Sequence, residues 1–311
     1  MIKHRADQAL AVRSLRSAAP YIRMYKGKTF VIKAGGAVFG DAEATRALIE
    51  QIAILHYFGV RVVFVHGGGP QLTELTEALG VPTRMVQGRR ITDQRSIDVT
   101  AMVLNGLINT RVLGICRDLN IDAVGVSGVD AGLVTAHRRP AVKMDNGETV
   151  DFGFVGDIDS VDTTVLRKLL DNGLMPVVSP LSADAGGTLL NINADTVAAA
   201  VGAALAAEKL ILCTGAPGIL ERVEDPTSVI SYTDLRGLKR LRDDGSIQDG
   251  MLPKAKAIED AIRGGVRRVH VIAYTSPESI LAEVFTNEGT GTLIVADINA
   301  LSVAEQQAQG A

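Results

Sequence analysis

Apolar and polar residues along this chain follow two periods, one typical of buried strands and one typical of amphipathic helices. Apolar runs of strand length occupy 29–33, 61–65, 123–126, 175–178, 209–212, 269–272 and 292–295. Segments with apolar residues every three or four positions lie between them, at 43–57, 71–79, 194–207, 234–242, 252–263 and 278–285. This alternation predicts an α/β fold, a three-layer α/β/α sandwich with a mostly parallel central sheet.

Two regions depart from this alternation. Residues 134–156 are polar and predict β-hairpins with a turn at Asn146-Gly147. The first twenty residues carry a thin apolar stripe that includes Leu15, which predicts a helix that Pro20 interrupts. A helix with so few apolar residues ahead of the first strand is expected either to fray or to pack outside its own domain.

The domain organisation follows from the absence of any segment with the composition of a linker. We therefore expect two lobes that share the central sheet rather than two tethered domains. Our boundaries are 1–20 for the N-terminal helix, 21–196 for an N-terminal lobe, 197–297 for a C-terminal lobe and 298–311 for a disordered tail.

Composition narrows the functional classes. Apolar residues make up 47% of the 311 residues, which excludes a disordered chain. The 32 basic residues against 35 acidic ones leave a net charge of −3, so no basic field points to nucleic acid. The two cysteines, Cys116 and Cys213, cannot form a disulfide framework, and no signal peptide or membrane-spanning run is evident. These features indicate a cytoplasmic protein without a membrane or nucleic-acid partner.

Two of the glycine clusters follow predicted strands and lead into predicted helices. The first cluster reads Lys33-Ala34-Gly35-Gly36, and the second reads His66-Gly67-Gly68-Gly69. Glycine lets backbone N–H groups approach a phosphate, and a following helix adds its N-terminal partial charge. Either cluster alone is equally consistent with a tight turn, but the pair favours an anion site. Neither cluster matches a Walker A loop or a dinucleotide-binding fingerprint.

Charged side chains near these strand ends add candidate chemistry. Lys33 and Lys254 could be ordinary solvated lysines, but an ammonium group also suits a transferring phosphoryl group. Asn191 and Asp195 make a strand-to-helix junction more polar than a helix cap requires. Arg90 could clamp a carboxylate or simply belong to a surface charge pair. The five histidines are scattered without metal-ligand spacing, so no metal site is predicted in the protein.

Taken together, these segments resemble the amino-acid kinase family over residues 20–295. The matching stretches are VIKAGG (31–36), VHGGGPQ (65–71), GRRITD (88–93), SGVDAGL (127–133), GFVGDI (153–158), LNINADTVAA (190–199), PGIL (217–220) and GMLPK (250–254). Each stretch alone is a weak signal, whereas their order and spacing together are specific.

The resemblance implies a reaction and a catalytic group. ATP, with Mg²⁺ carried on its phosphates, would phosphorylate the side-chain carboxylate of N-acetyl-L-glutamate in arginine biosynthesis. Lys33 and Lys254 would stabilise the transferred phosphoryl group, and Asp195 would orient the two lysines. No general base is implied, because the acceptor carboxylate is already ionised at neutral pH.

The resemblance also implies which residues bind the two substrates. The substrate-binding residues would be Gly67, Gly68, Arg90 and Asn191. The phosphate- and nucleotide-binding residues would be Gly35, Gly36, Thr214, Gly215, Gly218, Gly250 and Met251. Substrate binding would fall to the N-terminal lobe, together with dimerisation, and ATP binding to the C-terminal lobe. Gly215 stands where the family usually has an aspartate.

Regulation by arginine is a further implication, since arginine-inhibited members carry an extra N-terminal helix that interlaces dimers into a hexamer. The arginine site would consist of Tyr21, Glu278, Glu283, Gly289 and Gly291. Glu278 stands where the family often has a histidine. We keep open the same chemistry on N-succinylglutamate or N-acetyl-aminoadipate, and a non-catalytic family member that senses arginine.

Overall fold

The computed structural model describes residues 2–82, 84–86, 89–144, 147–248, 250–276, 278–286 and 289–300. The strands are β1 Thr29–Ala34, β2 Arg61–His66, β3 Arg84–Val86, β4 Arg89–Ile91, β5 Ala123–Ser127, β6 Val134–Arg138, β7 Val142–Lys143, β8 Thr149–Val150, β9 Gly156–Val161, β10 Met175–Ser179, β11 Leu181–Ala183, β12 Leu189–Asn191, β13 Lys209–Thr214, β14 Tyr232–Asp234, β15 Arg268–Ala273 and β16 Thr292–Val295. The helices are α1 Ile2–Tyr25, α2 Ala42–Tyr57, α3 Gly69–Ala78, α4 Gln94–Ala101, α5 Thr110–Asp118, α6 Thr164–Asp171, α7 Ala194–Ala204, α8 Leu235–Asp243, α9 Met251–Arg263 and α10 Ser279–Phe285.

A central sheet of eight strands joins both halves of the chain. Its order is β14-β16-β15-β13-β1-β2-β10-β5. The six strands from β15 to β5 are parallel, while β16 runs antiparallel to β15. A second sheet has the order β12-β11-β6-β9. The predicted α/β class with a mostly parallel central sheet is therefore confirmed.

Helices cover both faces of the central sheet, and β1 shows why its residues form a continuous apolar run. Phe30 and Ile32 are fully buried in the cluster that includes Ile52 of α2. Val31 points to the opposite face and is buried in the cluster that includes Val201 of α7. Because successive side chains of a strand alternate between faces, a central strand covered on both sides needs apolar residues at every position.

The N-terminal helix extends further than its sequence suggests. Pro20 was expected to interrupt this helix, but α1 continues through it to Tyr25. Pro20 lies on an exposed part of α1, where water can hydrate the carbonyl group that loses its hydrogen-bond donor. The predicted hairpin is present as β7 and β8, with Gly147 in its connection and Asn146 outside the described residues. Of the predicted tail, 298–300 form a short 3-10 turn, and 301–311 lie outside the described residues.

The long helical stretch Gln94–Asp118 consists of α4, a π-helical segment Met102–Asn109 and α5. By length and composition alone it could cross a membrane, a test that core helices of globular proteins also pass. Its inner residues, among them Ile97 and Val112, are buried in the protein core. These contacts place the stretch in the helical layer beside α2.

Candidate active site

The two glycine clusters meet where β1 and β2 end. Because these strands are parallel, their carboxyl ends lie at the same edge of the sheet. The Gly67 amide donates to the Ala34 carbonyl at 2.8 Å, and Gln71 Nε2 donates to the Gly36 carbonyl at 2.8 Å. A Cβ on Gly36 would lie 2.8 Å from the Gly69 nitrogen. The loops thus pack backbone against backbone, which only glycine permits at Gly36, while the Gly67 amide is bonded within the protein.

Two helices that follow predicted site residues, α3 and α9, begin without a side-chain cap. Gly68 is the N-cap of α3, and Gly250 is the N-cap of α9. Neither residue can cap the first turn with a side chain, so no N-cap side chain competes with an anion there. In α9 the Met251 N–H already donates to the Gln248 carbonyl at 2.9 Å, and Pro253 has no N–H to offer. The position of Gly250 is open, since a Cβ there would meet nothing within 4 Å.

Asp195 bridges the two predicted catalytic lysines. Its Oδ1 atom forms an ion pair with Lys33 Nζ at 2.7 Å, and its Oδ2 atom accepts a hydrogen bond from Lys254 Nζ at 2.8 Å. Asn193 caps α7 by accepting from the Asp195 amide at 2.8 Å, which places the carboxylate in the first helical turn. Three elements distant in sequence, β1, α7 and α9, therefore each supply one charge to the group that we call the lysine–aspartate triad.

The lysine–aspartate triad is buried and carries one net positive charge. The side chains of Lys33, Asp195 and Lys254 are 9%, 10% and 12% exposed. Burial by itself raises the pKa of Asp195, but the two ammonium groups outweigh it and lower that pKa to about 2. Burial lowers the pKa of Lys254, and the Asp195 charge opposes that shift. An anion placed between the two lysines would therefore meet a preorganised positive site of low dielectric.

The predicted substrate-binding side chains lie on elements that border the glycine loops. Arg90 of β4 donates to the Thr73 hydroxyl of α3 at 2.6 Å, so its guanidinium is held near the helix that begins at Gly69. Burial lowers the pKa of Arg90, and the nearby Glu77 carboxylate opposes that shift. Asn191 ends β12, and its backbone N–H donates to the Phe154 carbonyl at 2.8 Å. In the sequence, Asn191 precedes Asn193, the N-cap residue of α7, by two positions.

The predicted nucleotide residues divide between two elements beside the lysine–aspartate triad. Thr214 ends β13, the strand next to β1, and its hydroxyl donates to the Ala216 carbonyl at 2.8 Å. Gly215 follows and is exposed. Gly218 is buried, where a Cβ would lie 2.7 Å from Thr292 Oγ1. Met251 begins α9, one turn before Lys254.

The predicted arginine-site residues come together only in part. Glu283 is buried, and its Oε2 atom accepts hydrogen bonds from the amides of Thr290 and Gly291 at 2.5 and 3.3 Å. A Cβ on Gly289 would lie 2.9 Å from the same oxygen atom. Tyr21 is half-buried on α1, which packs against α10. Glu278 is exposed at the N-cap of α10 with φ of 55°, whereas Glu283 on the same helix is buried.

Sequence reasoning missed a buried hydrogen-bond chain that ends at Glu283. His270 Nδ1 lies 2.6 Å from Glu283 Oε1, and His270 Nε2 lies 2.8 Å from Lys209 Nζ. The Lys209 ammonium lies 5.2 Å from the centre of the Tyr25 ring. Burial lowers the pKa of Lys209 to about 7 and that of His270 to about 4. His270 is therefore the middle member of a buried polar chain that joins β13, β15 and α10.

A second buried histidine supports the glycine loop of β2. Asn109 Nδ2 donates to the Val177 carbonyl at 2.9 Å and to His66 Nε2 at 3.1 Å. His66 Nε2 is thus the acceptor, which leaves the ring proton on Nδ1, facing the Gly67 carbonyl at 3.2 Å. Burial lowers the pKa of His66 to about 4, so the ring is neutral. His66 is therefore a neutral, hydrogen-bonded residue of the core.

Within the described ranges, no group of three or more His, Cys, Asp or Glu residues could hold a metal ion. Asp195 is the buried carboxylate of the triad, and both of its oxygen atoms are occupied by lysines. The donor set of this edge therefore suits the oxygen atoms of an anion better than a cation.

Comparison with known proteins identifies the family of the chain. The sequence model of the amino acid kinase family matches residues 28–273. The acetylglutamate kinase of Myxococcus xanthus is 46% identical over 287 residues, which cover 91% of this chain and 93% of that protein. The structure of N-acetylglutamate synthase from Neisseria gonorrhoeae complexed with coenzyme A and N-acetyl-glutamate is 28% identical, with a TM-score of 0.79 over 92% of this chain. The same synthase complexed with coenzyme A and L-arginine is 25% identical, with a TM-score of 0.74 over 92% of this chain.

The chain belongs to the amino acid kinase family, as its motifs predicted. Acetylglutamate kinases that match nine-tenths of the chain are 40–46% identical to it, so it is a kinase enzyme. By contrast, the chain spans only 63% and 65% of the two synthase chains.

Proposed function

We propose that this protein transfers the γ-phosphoryl group of ATP to the side-chain carboxylate of N-acetyl-L-glutamate. The products are N-acetyl-L-glutamyl 5-phosphate and ADP, and the step belongs to arginine biosynthesis. The observation that carries the proposal is the buried pair of lysines on Asp195, beside two packed glycine loops. The acetylglutamate kinase relatives support the choice of acceptor.

The lysine–aspartate triad meets the main physical demand of this reaction. A carboxylate must approach a polyanionic phosphate, and negative charge spreads over the transferred phosphoryl oxygens. Lys33 and Lys254 lie 2.7 and 2.8 Å from the two oxygens of Asp195, so they stand on either side of one carboxylate. In the proposed reaction they flank the phosphoryl group, and Asp195 keeps them in place without acting as a base.

The bond changes need no proton transfer. A carboxylate oxygen of the acceptor forms a bond to the γ-phosphorus, while the bond from that phosphorus to the β,γ-bridging oxygen breaks and leaves its electron pair on ADP. The acceptor is ionised at neutral pH, since glutamate side chains titrate near 4. The rate should therefore stay constant over neutral pH as long as both lysines of the triad remain charged.

The remaining site residues bind the two substrates in this proposal. Arg90 and Asn191 hold the α-carboxylate and the amide end of the acceptor, and the N-terminus of α3 adds backbone N–H groups. Thr214, at the end of β13, and the uncapped N-terminus of α9 receive ATP. Mg²⁺ would be held by the phosphates of ATP and by water, since within the described residues no group of three or more acidic, histidine or cysteine side chains could hold the ion. When bound, it neutralises phosphate charge.

The acceptor can be identified by trapping the acyl phosphate. Purified protein with ATP and Mg²⁺ is incubated with hydroxylamine and one acid at a time: N-acetyl-L-glutamate, N-succinylglutamate or N-acetyl-aminoadipate. We expect the largest kcat/KM for hydroxamate formation with N-acetyl-L-glutamate. A larger value for another acid would move the proposal to that acid, and no hydroxamate with any acid would overturn the kinase proposal in favour of a non-catalytic role.

We further propose that arginine inhibits the enzyme by binding at Glu283. The similar fold of the arginine-bound synthase and the buried Glu283 carboxylate support this effector. Glu283 already accepts hydrogen bonds from His270, Thr290 and Gly291, so a guanidinium would have to replace one of them. Arginine should inhibit the wild type and inhibit Glu283→Gln much less. Equal inhibition of both proteins would remove Glu283 from the site, whereas Glu278→Gln, at an exposed position, serves as the control.

Assembly and location complete the proposal. We propose that α1 interlaces dimers into a hexamer in the cytoplasm, and that the lobes divide at 196 and 197. The exposed apolar residues Val12 and Leu15 on α1 support contact with another chain. Deletion of residues 1–19 should convert hexamers to dimers by light scattering, and an unchanged mass would contradict the interlacing helix.

A further inference from the structure

A cavity of about 450 Å³ lies between the start of α2 and the helix α5, apart from the lysine–aspartate triad. None of the triad residues lines it. Its wall is mainly apolar and includes Phe39, Ile108, Val112 and Ile115. Ile108 and Val112 are buried, so the apolar floor is part of the protein core. A concave apolar site of this volume is typical of small-ligand pockets.

Two arginines, Arg46 and Arg111, line this cavity, and they differ in their carboxylate contacts. Arg46 is neutralised there, since it contacts Asp118 at 2.6 Å and Glu50 at 3.0 Å. In the part of the chain that the structure describes, Arg111 contacts no carboxylate. The Asp41 carboxylate, near the same rim, is engaged in capping α2 through two backbone amides. A ligand with an acidic group would therefore find Arg111 as its partner.

Two wall residues of the cavity also touch the glycine loop of β2. The Phe39 ring packs edge-on against His66, with centroids 6.0 Å apart. Ile108 lies directly under Gly68, where an added Cβ would meet its Cδ1 atom at 2.5 Å. Both contacts lead to the loop that begins α3, and packed side chains of this kind transmit displacement because interiors are close-packed. A ligand that shifted either side chain would shift the loop.

We propose that this cavity binds a small amphipathic monoanion, with its ring or branched chain on the apolar wall and its acidic group at Arg111. Occupation of the cavity changes the position of the His66–Gly69 loop, and it thereby changes the KM for the acceptor. The effect on KM rests on the proposed kinase function, whereas the binding itself does not.

Gly114 provides a variant that fills the cavity without disturbing the fold. It lines the cavity, and a Cβ there would meet nothing within 4 Å. Gly114→Leu therefore places an isobutyl group in the open space, while Gly114→Ala makes the same backbone change and leaves most of the space empty. Arg111→Gln removes the charge at the mouth and keeps a polar side chain of similar length.

The test is a fluorescence titration of the full-length protein with the anion 8-anilino-1-naphthalenesulfonate and with the neutral N-phenyl-1-naphthylamine. We expect Gly114→Leu to weaken anion binding by about tenfold or more, as displaced apolar contact predicts, and Gly114→Ala to match the wild type. Arg111→Gln should weaken the anion about two- to fivefold, the range of an exposed ion pair, and leave the neutral probe unchanged.

Equal affinity of wild type and Gly114→Leu for the anion would overturn the site. Equal losses for both probes in Arg111→Gln would overturn the placement of the acidic group. In the kinase assay the anion should change the KM of the wild type for N-acetyl-L-glutamate and leave that of Gly114→Leu unchanged, and binding without such a change would overturn the coupling to the loop. A wild type that binds the probe but shows no kinase activity would count against the proposed function alone.

Discussion

Removal of Lys254 is the most informative perturbation of the lysine–aspartate triad. Lys254→Met keeps the length and most of the volume of the side chain and removes its charge. Asp195 then retains Lys33 at 2.7 Å as its cation, so the carboxylate is not left alone. The triad changes from one net positive charge to zero, and an incoming phosphoryl group loses the attraction that this site offers.

Two independent magnitudes for this loss agree. Removal of one preorganised donor from a charged transition state typically costs about 10²–10³ in kcat, which corresponds to about 2.7–4 kcal/mol. A unit charge about 4 Å from another contributes about 4 kcal/mol at an effective dielectric constant near 20. Because Lys254 is 12% exposed, solvent screens it little, and we expect kcat to fall about 10²–10³-fold.

The assay measures kcat and KM for both substrates, with Lys256→Met as the matched control. Lys256 lies on the same helix, is 66% exposed and pairs with Asp260 at the surface, so its loss should leave kcat within about twofold. Thermal unfolding of both variants checks that each is folded. A rise in KM with kcat unchanged would refute the transition-state role of Lys254, and equal activity of the two variants would refute the site.

Three further predictions concern the glycine loops, the buried histidine and the thiols. Gly36→Ala should lower the free energy of unfolding in urea by about 1–3 kcal/mol, because its Cβ would lie 2.8 Å from the Gly69 nitrogen. Gly106→Ala is the control and should leave that free energy unchanged, since a Cβ there would meet nothing within 4 Å. Burial lowers the pKa of His270 in the folded protein to about 4. Between pH 6.5 and 4.5 only the unfolded chain therefore takes up a proton at this residue, and the free energy of unfolding should decrease by up to about 1.4 kcal/mol for each unit by which the pH is lowered. A slope as steep in His270→Gln would contradict this assignment. Burial raises the pKa of Cys116 to about 11 and of Cys213 to about 12, so the folded protein should react with a disulfide reagent about 10²–10³ times more slowly than the unfolded chain, and comparable rates would place the thiols at the surface.

Local patterns predicted much of the fold, because each of them depends on a few neighbouring residues. The run Thr29–Lys33, followed by Gly35 and Gly36, predicts a buried strand and a close backbone approach, and β1 and its loop have both features. The helix of Gln94–Asp118 was not predicted as a unit. Its π-helical middle has more residues per turn, so apolar positions drift from the α-helical period that sequence analysis looks for.

Contacts between distant residues explain what sequence reasoning could not find. Lys254 and Asp195 are 59 positions apart, and their roles were inferred from family resemblance rather than from any local pattern. Lys209 and His270 are 61 positions apart and become partners only because β13 and β15 are neighbouring strands. No local pattern predicts such a pair. A lysine at the start of an apolar strand is expected to be exposed, and its burial follows only from the order of the strands in the sheet.

The central claim is tested most directly by measuring ADP and acyl phosphate in the same reaction. Wild-type protein is given Mg-ATP and N-acetyl-L-glutamate, ADP is followed by a coupled enzyme, and hydroxylamine traps the acyl product from matched aliquots. The account predicts one molecule of hydroxamate for each molecule of ADP in the wild type. In Lys33→Met, both products should form more slowly than in the wild type. ADP released without hydroxamate would mean that water is the acceptor, and it would contradict the assignment of the lysine–aspartate triad to carboxylate phosphorylation.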